Sequence, residues 1–243
     1  MKHFKLALLL AATLLVSACA APAKHSVHQR LSTAQNSPKK VLLMPADVVV
    51  KEISAGGLAE KVDDWTKQAA ANVNTGVRRY VEQKGRLQVM PMPTLSAEEQ
   101  AKLDQHIALY DVVGSDAFLF GKSADPAWAH KRTQFDYTLG DGLAFLKQKS
   151  GADAAIFVTG VDHVSSSGRK AAFVVGALLG VGIPLGSSLL HVGVVDLATG
   201  DLLWTNYDAS YAGKDLREAK DAEAMVFEIF KDYPGLAAQQ NAE

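Results

Sequence analysis

Ala154-Ala155-Ile156-Phe157-Val158-Thr159-Gly160-Val161-Asp162-His163-Val164 is the stretch that decides the fold. Its apolar and β-branched residues run for the length of a strand, and the Ser165–Gly168 run turns it. It reads as a strong central strand. Asp162 and His163 are consecutive on it, so their side chains are predicted to face opposite ways.

Upstream, Val41-Leu42-Leu43-Met44 reads as a buried first strand that Pro45 ends or bulges, and Val48-Val49-Val50 follows. Leu58, Val62, Trp65, Ala69, Val73, Val77, Tyr80 and Val81 recur at spacings of three and four, which predicts a long helix stopped by Gly85. Leu87 to Met90 is a second strand closed by Pro91 and Pro93. Ser96 and Glu99 have capping-box spacing and predict a helix to about Tyr110, with Leu103, Ile107 and Tyr110 inward. Ala117-Phe118-Leu119-Phe120 reads as a short strand or a packed loop. Asp141 can cap a third helix carrying Leu143, Phe145 and Leu146, ended by Gly151.

Downstream, His191–Leu197 and Leu202–Tyr211 form a predicted hairpin around Ala198-Thr199-Gly200-Asp201. Strict alternation on its second strand puts Leu203, Thr205, Tyr207, Ala209 and Tyr211 on one face, and Leu202, Trp204, Asn206, Asp208 and Ser210 on the other. A last amphipathic helix is expected from about Lys214 to Tyr233, with Leu216, Ala219, Met225, Val226, Ile229 and Phe230 inward, stopped by Pro234-Gly235. The order β-α-β-α-α-β-β-β-α predicts a single α/β sandwich, a mixed β-sheet with helices packed on it, spanning residues 39–235. Residues 236–243 read as a frayed end.

This order, with the turn Val195-Asp196-Leu197-Ala198-Thr199-Gly200-Asp201-Leu202-Leu203-Trp204, resembles periplasmic lipoprotein domains related to the curli secretion channel and the TolB amino-terminal domain. The resemblance implies a domain that oligomerises or docks onto other envelope proteins and has no active site. Fold likeness by itself is not evidence of function.

The amino terminus supplies the address. Lys2 and Lys5 precede the apolar run Leu6–Val16, and Ser17 and Ala18 follow it. That is the pattern of a secretory signal peptide over residues 1–18, too short for a permanent span. Val16-Ser17-Ala18-Cys19 resembles the lipobox of bacterial lipoproteins, which implies acylation of Cys19 and cleavage before it. Ala20 after the Cys, where an Asp retains enteric-type lipoproteins at the inner membrane, resembles an outer-membrane sorting signal. Two or three acyl chains hold a protein firmly on a bilayer. Without residues 1–18 the chain keeps 23 basic and 26 acidic residues, a charge of −3, which gives no reason for electrostatic attraction to anionic lipid. Residues 20–38 are small and polar and read as a flexible tether. His25 and His28 lie in it at a metal-like spacing, but with no third ligand nearby.

Ala171 to Leu190 carries no charge. Three readings compete: packing within the domain or over a sheet edge, contact with a membrane or partner, and a spanning helix. Gly176 with Gly180, and Gly182 with Gly186, have the spacing that lets helices approach closely in lipid. Pro184 and the glycines oppose a span, and a span would separate the hairpin from its sheet. If the segment makes contact, Phe173, Val174, Val175, Leu178, Leu179, Val181, Ile183 and Leu185 are the candidate residues.

Composition bounds the chemistry. The 243 residues hold 25 Lys and Arg against 26 Asp and Glu, with 48% apolar and 21% charged residues. A disordered chain, a collagen and a polytopic membrane protein are excluded. A charge of −1 argues against nucleic-acid binding, and one Cys excludes an internal disulfide or a Cys-based zinc cluster. Gly121-Lys122-Ser123 ends like a phosphate loop, but Asp116 stands where its first Gly belongs. Gly180, Gly182 and Gly186 miss the dinucleotide spacing by one residue. Ser165, Ser166 and Ser167 follow Asp162 and His163 without a nucleophile elbow. His106, His130 and His191 are scattered, and Asp136, Asp141 and Asp153 suit loops and caps. The expectation is an outer-membrane lipoprotein held by acyl chains on Cys19, with an envelope protein partner or copies of itself. No cofactor, metal, nucleotide, nucleic acid or catalysis is expected. A subunit of an oligomeric export channel is the alternative, and an envelope-polymer hydrolase the third reading.

Overall fold

The strand expected at residues 154–164 runs through the middle of one mixed sheet. The computed structural model describes residues 25–32, 37–83, 87–121, 123–211 and 213–234. The strands are β1 (Ser26–Val27), β2 (Lys40–Leu43), β3 (Asp47–Ile53), β4 (Ala59–Lys61), β5 (Gln88–Val89), β6 (Ala154–Ser165), β7 (Ser187–Asp196) and β8 (Leu202–Tyr211). The helices are α1 (Asp63–Gln83), α2 (Ala97–Phe120), α3 (Ala129–Thr133), α4 (Ala144–Ser150), α5 (Ser167–Leu178) and α6 (Ala219–Phe230).

β6 pairs antiparallel with β7 along its length, from Ala154 opposite Asp196 to His163 opposite Ser187. Its other edge is shared. β2 runs parallel beside Ala154–Ile156 and β3 beside Thr159–Ser165. Pro45 lies between them, where a residue without an N–H cannot continue a ladder. β8 pairs with β7, β1 with β8, β5 with β2 and β4 with β3.

Alternate residues of β6 feed two core layers. Ile156 and Val158 meet Val73, Val77 and Tyr80 of α1 and Met225, Val226, Ile229 and Phe230 of α6. Ala155 and Phe157 meet Leu103 and Tyr110 of α2 and Leu146 of α4. Trp204 is fully buried and stacks on Phe230 at 5.6 Å. The α/β class and the mixed sheet with helices packed on it are as the sequence predicts.

The departures have local causes. The first helix starts at Asp63, because residues 54–58 make the turn between β3 and β4, and Leu58 is 64% exposed. Its expected stop, Gly85, lies outside the described residues. α2 runs on to Phe120, where a strand or loop was expected. Its inward positions there are Gly114 and Ala117, so small residues replace the large stripe that marks its first half. Ser165 and Ser166 do not make a simple turn, since Ser166 caps α5. The hairpin is longer than expected, β7 starting at Ser187. A bulge leaves Leu203 unpaired, with Val194 opposite Trp204 and Val195 opposite Leu202. Leu203 therefore packs on the Trp204 side and Leu202 on the opposite one, against the alternation expected. The last helix begins at Ala219, which is exposed, and Ala222 takes the inward position.

The largest correction concerns the tether. Ser26 and Val27 pair with Thr205 and Trp204, and Leu31 is buried in the α1/α6 core. Arg30 donates to Asp196 and Asp201, each at 2.8 Å, and to Thr199 at 3.2 Å. Residues 25–32 thus belong to the folded body. The polar composition hid this because their anchors are backbone bonds and one guanidinium rather than an apolar stripe.

Candidate functional site

Two regions merit a functional reading: an apolar end and a polar groove. The apolar end is α5 with its closing turn. Ser166 caps the helix, its hydroxyl accepting from the Arg169 N–H at 3.1 Å. The helix stops where Val181 N–H donates back to Gly176 O at 2.8 Å and Gly180 takes φ +73°. Gly176 is the residue of α5 that is buried. A Cβ there would press on Val181 O and the Ile183 side chain. The small residue thus serves the segment's own fold-back, whatever its spacing to Gly180.

Of the eight expected contact residues, six are exposed: Phe173, Val174, Val175, Leu178 at 82%, Leu179 at 75%, and Val181. Ile183 and Leu185 are half-buried. The segment therefore does not pack away within the domain as a whole. Among the described residues no helix is long and apolar enough to cross a membrane. Two further exposed apolar side chains lie at this end of the sheet. Tyr211, 83% exposed, pairs with Ser187 at the segment's exit. Leu58 follows Gly57, whose Cβ position lies 3.2 Å from the Arg169 guanidinium.

The groove lies where α2 leaves the sheet uncovered. It has a volume of about 330 Å³, and its lining includes Asp47, Lys51, Asp111, Ser115, Thr159 and His191. His191 is buried and stacks on Tyr110 at 5.6 Å. Its Nε2 lies 2.5 Å from Thr205 Oγ1, and Thr205 donates to Val192 O at 3.0 Å. Thr205 spends its proton on that carbonyl, so Nε2–H is the donor to it. Nδ1 is then the acceptor facing Tyr110 OH at 3.4 Å. Burial pushes the imidazole down to about 4, so it is neutral at pH 7. Both ring nitrogens thus face hydroxyl groups within the core. Cβ atoms at Gly114 or Gly193 would overlap His191 or Tyr110, so these glycines make room for the ring pair.

On the other face Asp162 is buried. It accepts from Leu216 N–H at 2.8 Å and sits 2.8 Å from Ser188 Oγ, which also reaches Lys214 O at 3.0 Å. Burial raises its pKa above the ordinary carboxylate range. His163 lies on the opposite face, as expected, and with Lys170 and Asp215 lines a second cleft of about 250 Å³. Asp162, His163 and the serines are therefore not one constellation: Ser166 is a helix cap and Asp162 holds the chain into α6. Arg217 pairs with Asp215 at 2.6 Å, holding that carboxyl below its usual range, and lies 4.0 Å over Trp65.

The remaining motifs are separated by the fold. Gly121 ends α2, whereas the glycine of a phosphate loop opens a helix; Lys122 lies outside the described residues. His25 is 3.8 Å from Asp232, while His28 Nδ1 accepts from Arg30 N–H, so the two imidazoles serve different neighbours. Among the described residues no group of three His, Cys, Asp or Glu could hold a metal. Cys19 and the rest of residues 1–24 lie outside the described residues. The Arg30 clamp on the Asp196 turn was missed in sequence; its only signal was an Arg in a polar run.

A mixed sheet between two helical layers defines the class as an α/β sandwich. No family model matches the chain, and no curated protein matches it. Among solved structures, the chain is similar to the lipoprotein GNA1162 from Neisseria meningitidis, with 12% identity, a TM-score of 0.29, and 72% of this chain and 82% of that one covered. It is also similar to the PelC dodecamer from Paraburkholderia phytofirmans, with 10% identity, a TM-score of 0.33, and 87% and 94% covered. A third is the LpoB C-terminal domain from Salmonella enterica, with 12% identity, a TM-score of 0.26, and 72% and 84% covered.

Proposed function

We propose that the protein is a lipid-anchored, periplasm-facing component of the bacterial outer membrane that acts by contact, in protein binding or assembly of the cell envelope, and not by catalysis. The observation that supports this is apolar surface left bare outside two filled core layers, at α5 and its turn and at Val112 and Leu119 of α2. Exposed apolar clusters of this kind mark interaction surfaces. Acyl chains on Cys19 confine the domain to a surface and raise its effective concentration for a partner there. The leader is residues 1–18, the lipidated start is Cys19, and residues 25–32 belong to the body with the domain that follows.

Two measurements test this. Mass analysis of the amino-terminal peptide is expected to show a cleaved, diacylated Cys19, and Cys19→Ser is expected to release a folded domain from membranes. An unmodified thiol on an uncut leader would overturn the anchor. Crosslinking in intact envelopes is expected to capture an envelope protein through α2, with the yield falling in Val112→Asp. A large ring of copies in solution would favour the export-channel reading instead.

A further inference from the structure

We propose that α5 and its closing turn rest in the phospholipid leaflet that holds Cys19, giving the domain a second, non-covalent membrane contact. The inference rests on the anchor proposed above for its direction, and on the apolar end of the sheet for its chemistry.

The direction comes from the first strand. β1 runs antiparallel to β8, Ser26 opposite Thr205 and Val27 opposite Trp204. From Ser26 to Arg30 the chain heads for the Asp196–Asp201 turn, which Arg30 clamps. Read backwards, β1 therefore points the other way, towards Tyr211 and the α5 end. Cys19 is seven residues before Ser26, a reach of about 24 Å when extended. Thr205 to Tyr211 covers about 20 Å of strand. A lipid on Cys19 can therefore reach the level of α5. It cannot reach far past it, because the long tether expected from sequence is shortened by the docking of residues 25–32.

The chemistry fits a bilayer surface. Between Asp162 and Asp196 the chain has no acidic residue, and its cations there, Arg169 and Lys170, stand at the start of α5. Arg169 Nε donates to Pro184 O at 3.1 Å and fixes the helix to its returning loop. Leu178 and Leu179 are the most exposed apolar side chains of the segment, and the exposed Tyr211 at the rim suits the headgroup level. A twelve-residue helix is too short to cross a bilayer, so its bare apolar surface can enter only the interfacial layer.

The test uses the full lipidated chain in vesicles of phosphatidylethanolamine and phosphatidylglycerol. Cys19 is the only cysteine, so acylation leaves no competing thiol for a label. Leu178→Cys, at an exposed position, carries an environment-sensitive fluorophore; Lys147→Cys on α4, at the opposite end of the sheet, is the control. The expected result is a blue shift at 178 with loss of most of its emission to spin-labelled lipid, while 147 stays open to aqueous iodide. An iodide-accessible 178 overturns the proposal. So does a blue shift that depends on protein concentration without lipid, which would assign the face to a second copy, and so does equal lipid quenching at both positions. Intact mass reports the anchor separately. If Cys19 proves unmodified, Leu178→Cys in a Cys19→Ser background still reads whether α5 binds lipid.

Discussion

α5 and α6 are both twelve residues long and both apolar on average, yet the fold treats them oppositely. α6 buries Ala222, Met225, Val226, Ile229 and Phe230, and turns Lys220 and Glu228 outward. α5 has no charge after Lys170, and Gly176 is its buried residue. A helix that packs on a sheet needs a wet face as well as a dry one. α5 lacks the wet face, so water is a poor neighbour for most of its surface. The difference shows that apolar content says how much surface must be covered, while the placement of charge says whether the domain itself does the covering.

The comparison breaks first on stability. Phe230→Ala removes a ring stacked on Trp204 and Tyr80, and should cost about 3–5 kcal/mol, as aromatic truncations in a closed core do. Leu178→Ala should change nothing comparable. Urea unfolding with an unchanged m-value checks both. A similar loss at the two positions would mean that α5 is packed in solution and that the contrast is false.

The next largest effect is a pH dependence at His191, where the covered half of the sheet meets the bare half. Its imidazole is held near 4 in the fold and rises to about 6.5 when unfolded. The unfolded chain therefore binds the extra proton between these values. Stability is complete above pH 6.5 and falls as the pH drops towards 4, by about 3 kcal/mol in all. Asp162 works in the opposite sense. Its raised pKa makes the native state take up a proton before the unfolded chain does, so acid favours folding at this group. In Asp162→Asn the amide can still accept from Leu216 N–H and donate to Ser188. The variant is expected to fold and to lose stability more steeply in acid than the parent. Urea midpoints from pH 7 down to pH 4 measure both slopes, and parallel slopes over that whole range would remove Asp162 from the account.

A smaller effect attaches to Arg30. Its two carboxylate partners and Thr199 form a part-exposed network, so Arg30→Ala should cost about 1 kcal/mol or less. Hydrogen exchange at Val27 and His28 should nevertheless rise, because His28 N–H donates to Leu203 O on the strand edge that Arg30 holds in place. Unchanged exchange would mean that β1 docks without the clamp.

Large apolar residues at regular spacing made most of the fold legible. β6, the hairpin, α1 and α6 follow from Val, Ile, Leu and Phe positions that a 2.0 or 3.6 period sorts onto one face. What stayed hidden used other means. The second half of α2 faces the sheet through Gly114 and Ala117, where small residues admit His191 and Tyr110. The Leu203 bulge inverts a face without any change of composition. β1 depends on a two-residue ladder and Arg30. For the candidate site, all eight candidate contact residues came from the uncharged run, and six of them are exposed, because a lack of charge is visible in sequence. Ile183 and Leu185 are half-buried, and the fold-back at Gly180 that sets them there is a backbone event that composition does not show.

The smallest stability effect expected is the most informative about α5. Leu178→Asp places a carboxylate on a side chain that is 82% exposed, so the unfolding midpoint should move by no more than about 0.5 kcal/mol. Met225→Asp on α6 puts the same group in a closed core and should prevent stable folding. A wild-type-like midpoint in Leu178→Asp, together with improved solubility at high concentration, would show that leucine at 178 does nothing for the fold and works against the free domain in water. A loss above 2 kcal/mol would instead require a partner for Leu178 within the chain, and the contrast between the two helices would have to be given up.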